Sequence, residues 1–302
     1  MKNQPQVVSI VVHFNSPEDC INLLTSLRSL TCTNHRVVVV DNCSEERAFK
    51  RLSDFIVSQD GGFTCEIIKN KNNVGFGGGV NFGFEYAVDK YRADYLHVIN
   101  TDAEVINSGY LQDLVMLLDQ DKSIGIVGPA VLKEDKKQLQ NTILPFVSIK
   151  TALNFKKAYS NLSYIEEKPA IKDVECVNGV CFVVRAAVFR SAGGFDPSYF
   201  MYGEEQDLCY KIYLQGYRRV YWPGLSIVHF GAEKTSAYSI DWRYIHVRKN
   251  QVKFLRKHSS WLSAFVLASL FSVKTLLFYL KSKGHSDQKL PSIIDAYFRC
   301  LK

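Results

Sequence analysis

The sequence predicts an α/β fold with a mostly parallel central sheet flanked by helices, and three observations carry that prediction. Val7–Phe14 and Arg36–Asp41 are apolar, largely β-branched runs of strand length. Helical patterns with clear start signals lie between them and after the second. The order strand, helix, strand, helix, strand then runs on to Lys69, which calls for parallel pairing with right-handed crossovers. At 302 residues, 47% hydrophobic and 22% charged, the chain suffices for one large domain, or one domain with an appendage, and wholesale disorder is excluded.

The elements follow in order. After the first strand, Asn15-Ser-Pro-Glu carries helix-start chemistry: Ser16 caps, Pro17 suits the first turn, and Glu18 and Asp19 favour the positive end of the helix dipole. The helix runs to about Ser29 with Ile21, Leu23, Leu24, Leu27 and Leu30 on its apolar side. A second helix near Glu45–Gln59 leads to the short strand Cys65–Lys69. Asn70–Gly83, with glycines at 75, 77, 78, 79 and 83, reads as a loop whose backbone can approach something bulky and polar, before a helical stretch Phe84–Lys90. It is no dinucleotide fingerprint, because the third glycine of G-x-G-x-x-G would fall on Val80 or Phe82. Nor is it a phosphate loop, since Phe84 follows Gly83.

Beyond that come the apolar strand from Tyr95, a helix from Ser108, and the strand Ile124–Leu132, broken by glycine and proline. Lys133–Lys172 lacks periodicity and reads as a variable loop placed to cover a site. Val174–Arg185 reads as strand, Ala186–Ser191 as a short helix closed by Gly193-Gly194, and Gly216–His229 closes the sheet.

Chemistry concentrates at three places. The strand ending at Ile99 delivers Asp102 and Glu104, one residue apart, at the end of a parallel strand, where such sheets bind ligands. Taken alone, Asp-x-Glu at a strand exit is more often a turn than a ligand site. Glu204-Glu205-Gln206-Asp207 opens a helix between large apolar residues, so at least one carboxyl is enclosed, with a raised pKa suited to a general base. His229 stands at a strand end, a position more often structural than functional.

Eight cysteines without a C-x-x-C pair read as reduced buried thiols. No apolar signal segment precedes the first strand, so the expected location is the cytosol. The charge of +7 does not point to nucleic acid, because the basic residues are uneven and many lie in the last 60 or so. Arg243–Lys257 is basic without an acid, and Trp261–Val273 is apolar until Lys274. This pattern is too short to span a bilayer and fits a helix lying on an anionic membrane surface, or a helical cap packed on the main domain or a second subunit.

Six segments in order resemble the inverting GT-A glycosyltransferases of family 2, and most closely their bacterial rhamnosyltransferase-like branch. They are Val-Val-Asp41-Asn-Cys-Ser44; Asn73-Val-Gly-Phe-Gly-Gly-Gly-Val-Asn81; Asn100-Thr-Asp102-Ala-Glu104; Asn178–Arg185 with Gly193-Gly-Phe-Asp196; Phe200–Cys209; and Val228-His229-Phe-Gly231. The resemblance implies a GT-A catalytic domain over 1–235, with a nucleotide-sugar half to about 105 and an acceptor half beyond, and a helical region over 236–302. It implies transfer of a sugar, rhamnose favoured, from a dTDP-, UDP- or GDP-sugar to a saccharide or lipid-linked saccharide in cell-surface polysaccharide synthesis. The enzyme would work at the inner face of the membrane. Asp41, Asn73, Gly75 and Asn81 would hold the nucleotide; Asp102 would meet the ribose and, with Glu104 and His229, bind Mn²⁺ or Mg²⁺. An oxygen and imidazole set suits Mn²⁺ somewhat better. Glu205 would be the base, with Glu204 and Asp207 as alternatives, because Glu205 stands where the family usually has Asp. Arg248, near the start of the basic stretch, could also reach the diphosphate. A nucleotidyltransferase of related architecture would need a basic glycine loop after its first strand, and a silent module would have lost acidic or His residues; this chain shows neither departure.

Overall fold

The computed structural model describes residues 4–59, 63–140, 143–154, 170–231, 240–281 and 290–301. Its first half contains β1 (Val7–His13), α1 (Pro17–Leu27), β2 (His35–Asp41), α2 (Glu46–Val57), β3 (Cys65–Lys69), α3 (Gly75–Tyr91), β4 (Tyr95–Ile99), β5 (Ala103–Val105), α4 (Tyr110–Gln120) and β6 (Ile124–Leu132). There follow β7 (Ile143–Leu144), α5 (Ile149–Leu153), β8 (Lys172–Asp173), β9 (Cys176–Val177), β10 (Cys181–Arg185), α6 (Ala186–Ser191), α7 (Glu204–Leu214) and β11 (Arg218–His229). The carboxyl-terminal helices are α8 (Ile240–His258), α9 (Trp261–Lys281) and α10 (Leu290–Arg299).

The main sheet runs β3-β2-β1-β4-β10-β6-β11-β5, with β8 beside β11. β1 to β4 are mutually parallel, and β10 enters antiparallel between β4 and β6. The chain leaves β1 toward β2 and β3 on one side, then returns to β4 on the other. Such a reversal opens a crevice beyond the carboxyl ends of β1 and β4, where sheets of this kind take ligands. Both faces are covered. Leu23, Leu24 and Leu27 of α1 and Leu111, Leu114 and Leu118 of α4 close one face; Phe84, Phe189, Phe195, Leu208 and Ile212 close the other.

The glycine segment is helix, not loop: α3 begins at Gly75. Glycine is a poor helix former, but packing overrides the propensity here. A Cβ at Gly79 would stand 2.7 Å from Val12 Cγ1, and one at Gly83 would stand 2.8 Å from Ile10 Cγ2, so the missing side chains let α3 lie against the sheet. β6 is likewise continuous. Pro129, which lacks an N–H, sits opposite Trp222 at the edge of a register shift in β11, the kind of irregularity at which a strand tolerates proline.

The carboxyl-terminal helices build a third core from Val252, Leu255, Leu267, Phe271 and Tyr297, joined by Val147, just before α5, and Ala152 of α5. They are anchored on the α7 corner. Asn250 Nδ2 donates to Met201 O at 2.9 Å, and Lys257 Nζ reaches Asp196 and Asp207 at 2.7 Å each. The junction expected near residue 235 lies outside the described residues, as do 141–142 and 155–169 of the stretch expected as a covering loop, whose described part is not all loop but holds β7, α5 and the start of β8. No described helix is long and apolar enough to cross a membrane.

Candidate active site

A cleft of about 430 Å³ opens at the carboxyl ends of β1 and β4, and the candidate residues divide sharply over it. Its walls include Asn73, Gly75, Asp102, His229, Glu204 and Glu205. Asp41, Asn81, Glu104 and Asp207 are not in them.

Each of those four has a physical reason to be elsewhere. Asp41 is fully buried; its Oδ1 lies 3.0 Å from His13 Nδ1 and its Oδ2 accepts from Ser44 N at 3.2 Å. Burial alone would raise this carboxyl, but the hydrogen bonds from His13 and Ser44 outweigh it and hold the pKa below its ordinary value. The cleft instead meets the next residue, Asn42, whose Nδ2 donates to Asn73 Oδ1 at 2.9 Å and to Gly75 O at 3.0 Å. Asn81 ties α3 to the Phe195 backbone, donating to its O at 2.7 Å and accepting from its N at 2.9 Å. Asp102 lies in the turn before β5, whereas Glu104 is inside that strand, with Ala103 and Val105 buried on either side. Glu104 is thereby turned to the outer face, where Lys136 Nζ pairs with it at 3.0 Å. Asp207 faces α8: His258 Nε2 and Lys257 Nζ both lie 2.7 Å from its Oδ1. Burial pushes its pKa up, yet these partners and Lys211 prevail and hold it down.

Asp102 and His229 are brought together, with Oδ1 and Nε2 3.1 Å apart. Two ligands placed cis on an octahedral ion at about 2.1 Å stand about 3.0 Å from each other, so this pair fits a small divalent cation, with its remaining positions left to substrate oxygens and water. Among the described residues no three His, Cys, Asp or Glu side chains converge as a metal site, so Glu104 does not complete the set.

Across the cleft stand Glu204 and Glu205, at the first turn of α7. Glu204 is buried and its Oε2 has no hydrogen-bond partner among the described residues. Glu205 is partly exposed and accepts from Gly203 N at 3.1 Å. Burial lifts both carboxyls above their ordinary values, and the charge of Glu205 adds to the rise on Glu204. The turn that delivers them is built from two left-handed residues, Tyr202 (φ 69°) and Gly203 (φ 90°).

Several wall residues escaped the sequence reading. Phe14, 39% exposed just beyond β1, offers a flat apolar face; an aromatic at the mouth of a parallel strand was a legible signal. Arg243 reaches the cleft from α8 and lies 5.8 Å from the Tyr202 ring. It takes the place expected of Arg248, which is buried over the Tyr244 and Phe271 rings at 3.7 and 4.6 Å. Gln140, also in the wall, sits in the irregular region and carried no signal.

Comparison with known proteins agrees with this architecture. The chain is 26% identical to the low-salt glycan biosynthesis hexosyltransferase of Haloferax volcanii over 67% of its own length and 60% of that protein's. It is 31% identical to the N-acetylglucosaminyl-diphospho-decaprenol L-rhamnosyltransferase of Mycobacterium tuberculosis over 33% of each chain. The matches thus span less than two thirds of either relative. The crystal structure of GalNAc-T7 with UDP, GalNAc and Mn²⁺ superposes with a TM-score of 0.63 at 17% identity, covering 84% of this chain and 48% of that one, which establishes the GT-A fold. The model describing glycosyl transferase family 2 matches residues 9–189, more than half of the sequence, and the chain belongs to that family.

Proposed function

We propose that the protein is an inverting glycosyltransferase that moves a sugar, rhamnose favoured, from a nucleotide-diphosphate donor to a saccharide or lipid-linked saccharide acceptor. One observation carries this reading: a single cleft sets the Asp102 and His229 pair across from the raised carboxyls of Glu204, whose Oε2 has no partner among the described residues, and Glu205. The first pair suits a divalent cation with a diphosphate, and the second suits a proton acceptor. The choice of rhamnose and of a lipid-linked acceptor draws on the mycobacterial relative's name.

Asn42, Asn73 and the turn at Gly75 form the nucleotide side of the cleft, with Phe14 placed for stacking on a base. Arg243 supplies the positive charge facing the diphosphate. Asp102 and His229 would hold a divalent cation, which would supply neutralising charge to the leaving diphosphate. Glu205 removes the acceptor hydroxyl proton as that oxygen attacks the anomeric carbon. The bond from that carbon to the diphosphate oxygen breaks, and its electron pair leaves on the diphosphate. One displacement from the opposite face inverts the anomeric configuration. Thermal shift and hydrolysis assays with UDP-, dTDP- and GDP-sugars, with and without Mn²⁺ or Mg²⁺, test the reading. At least one donor, dTDP-rhamnose first, is expected to stabilise the chain in a metal-dependent way; no response to any donor would sink it.

The outer face of α9 supports the reading that this enzyme would work at a membrane surface. Leu262, Val266, Val273, Leu277 and Leu280 are exposed there, at 65, 37, 55, 52 and 65%. Their spacing repeats along one side of the helix, opposite the residues packed on α8 and α10. The helix contains no acid, and the exposed Lys274 flanks the apolar strip, its Nζ donating to Leu153 O at 3.3 Å. An apolar strip with only positive charge fits the anionic leaflet of a membrane, lying flat on it. The chain is expected to float with phosphatidylglycerol vesicles and much less with phosphatidylcholine ones. Val273→Glu with Leu277→Glu should release it while sparing transfer to a water-soluble acceptor. A dimer that dissociates in this double variant, with no vesicle binding by the parent chain, would assign the face to a second copy instead.

A further inference from the structure

The Gln140 side chain makes two hydrogen bonds to one residue. Its Nε2 donates to His229 O at 2.7 Å, and its Oε1 stands 2.9 Å from His229 Nδ1. The orientation of the amide is forced. The Nε2 end faces carbonyl oxygens, those of His229 and, at 3.4 Å, of Leu132, which can only accept. The Oε1 end must therefore meet a donor, so Nδ1 of His229 carries the proton. A neutral imidazole has one N–H, which leaves Nε2 as a lone pair facing Asp102 Oδ1 at 3.1 Å. Two acceptors at that separation repel unless a proton or a metal ion lies between or beside them.

We infer that Gln140 is a positioning residue that fixes His229 as the Nδ1–H tautomer and so keeps Nε2 available as a metal ligand. The inference rests on the divalent-cation reading of Asp102 and His229. Without an acceptor at Nδ1 the ring is free to carry its proton on Nε2 and donate it to Asp102. The pair would then satisfy itself, and a cation would have to break that hydrogen bond before binding. The backbone makes the arrangement firm: Gln140 N donates to Val131 O at 2.8 Å, which anchors the residue on β6 beside β11. A glutamine in an irregular segment is thus tied to the sheet by both its backbone and its side chain. Outer partners of this kind change metal affinity by about 10–100-fold in known sites.

The test uses the full chain, labelled with ¹⁵N-histidine and free of metal, in long-range ¹H–¹⁵N spectra at about pH 8, where an ordinary imidazole is neutral. The His229 signals are those lost in His229→Asn. The parent chain should show the proton on Nδ1, and Gln140→Met should move it toward Nε2. Mn²⁺ binding followed by electron paramagnetic resonance, with no donor present, should weaken about 10–100-fold in the same variant. A proton on Nε2 in the parent chain overturns the inference without touching the metal reading. So does unchanged Mn²⁺ affinity in a folded Gln140→Met. Failure of the parent chain to bind Mn²⁺ overturns the metal reading and, with it, the role given to Gln140, whatever the tautomer.

Discussion

Glu205→Gln is expected to lower the transfer rate by about 10²–10⁴-fold, the usual contribution of a positioned general base, while leaving donor and Mn²⁺ binding intact. The separation is possible because the groups given to donor and metal, Asp102, His229, Asn73 and Arg243, belong to other elements. Glu204→Gln should fall less than tenfold. Reversed results would move the base to Glu204, whose Oε2 is the orphaned oxygen. The pH profile adds a second reading. Burial raises both carboxyls, so the acid limb of kcat/KM should have its midpoint above the ordinary value of about 4.3. Activity should rise with pH through that limb, because only the ionised carboxylate accepts a proton. The same shift acts oppositely on stability. The protonated form is favoured in the fold, so its contribution is present below the ordinary carboxylate pKa and is lost as pH rises through the folded value. Glu204→Gln, neutral at every pH, is therefore expected to raise Tm at neutral pH by a few degrees. An acid limb at the ordinary value, with no gain in Tm, would show that the pair is hydrated and unstrained.

The parts of this fold that were legible in the sequence are those where one force dominates. Val37–Val40 and the run from Leu96 to Ile99 are buried on both sides, and a continuous apolar stretch records that directly. The α3 glycines were misread because local propensity and tertiary packing disagree there. What allows the helix is the closeness of Val12 and Ile10, which are far away in the sequence. The site was legible in position and less so in direction. The family-like segments located the right strand ends and the right turn, but no segment states which way a carboxylate points. Asp41 and Asn42 are adjacent, and the structure gives the cleft to the second. Asp102 and Glu104 differ by two residues, and the start of β5 between them sends Glu104 to Lys136. Asp207 shares a helical turn with Glu204, yet α8 claims it through Lys257 and His258. Gln140 was invisible because its partner lies 89 positions along the chain.

Gly231→Ala is expected to weaken Mn²⁺ binding by about 100-fold or more and to remove metal-dependent donor binding with it, while the chain still folds. A Cβ at Gly231 would lie 1.5 Å from Asp102 Oδ2 and 2.5 Å from its Cγ. Gly231 is not among the residues with positive φ, so alanine is not strained there on backbone grounds, and the collision is the whole effect. The backbones cannot easily part to relieve it, because Phe230 N donates to Asp102 O at 2.9 Å and β5 pairs with β11 from Ala103 and His229 onward. The carboxylate is the part that can move. Turning it away breaks the 3.1 Å relation to His229 Nε2 that makes the two groups cis ligands. Asp102→Asn serves as the reference, since it keeps the shape and removes the charge. If Gly231→Ala matches it in Mn²⁺ affinity, with both variants melting within a few degrees of the parent chain, then the geometry of the Asp102 carboxylate decides metal binding. If Gly231→Ala binds Mn²⁺ as the parent chain does, Asp102 is not a ligand in this position. The glycine that closes the Val228-His229-Phe-Gly231 segment would then owe its place to the turn that follows β11.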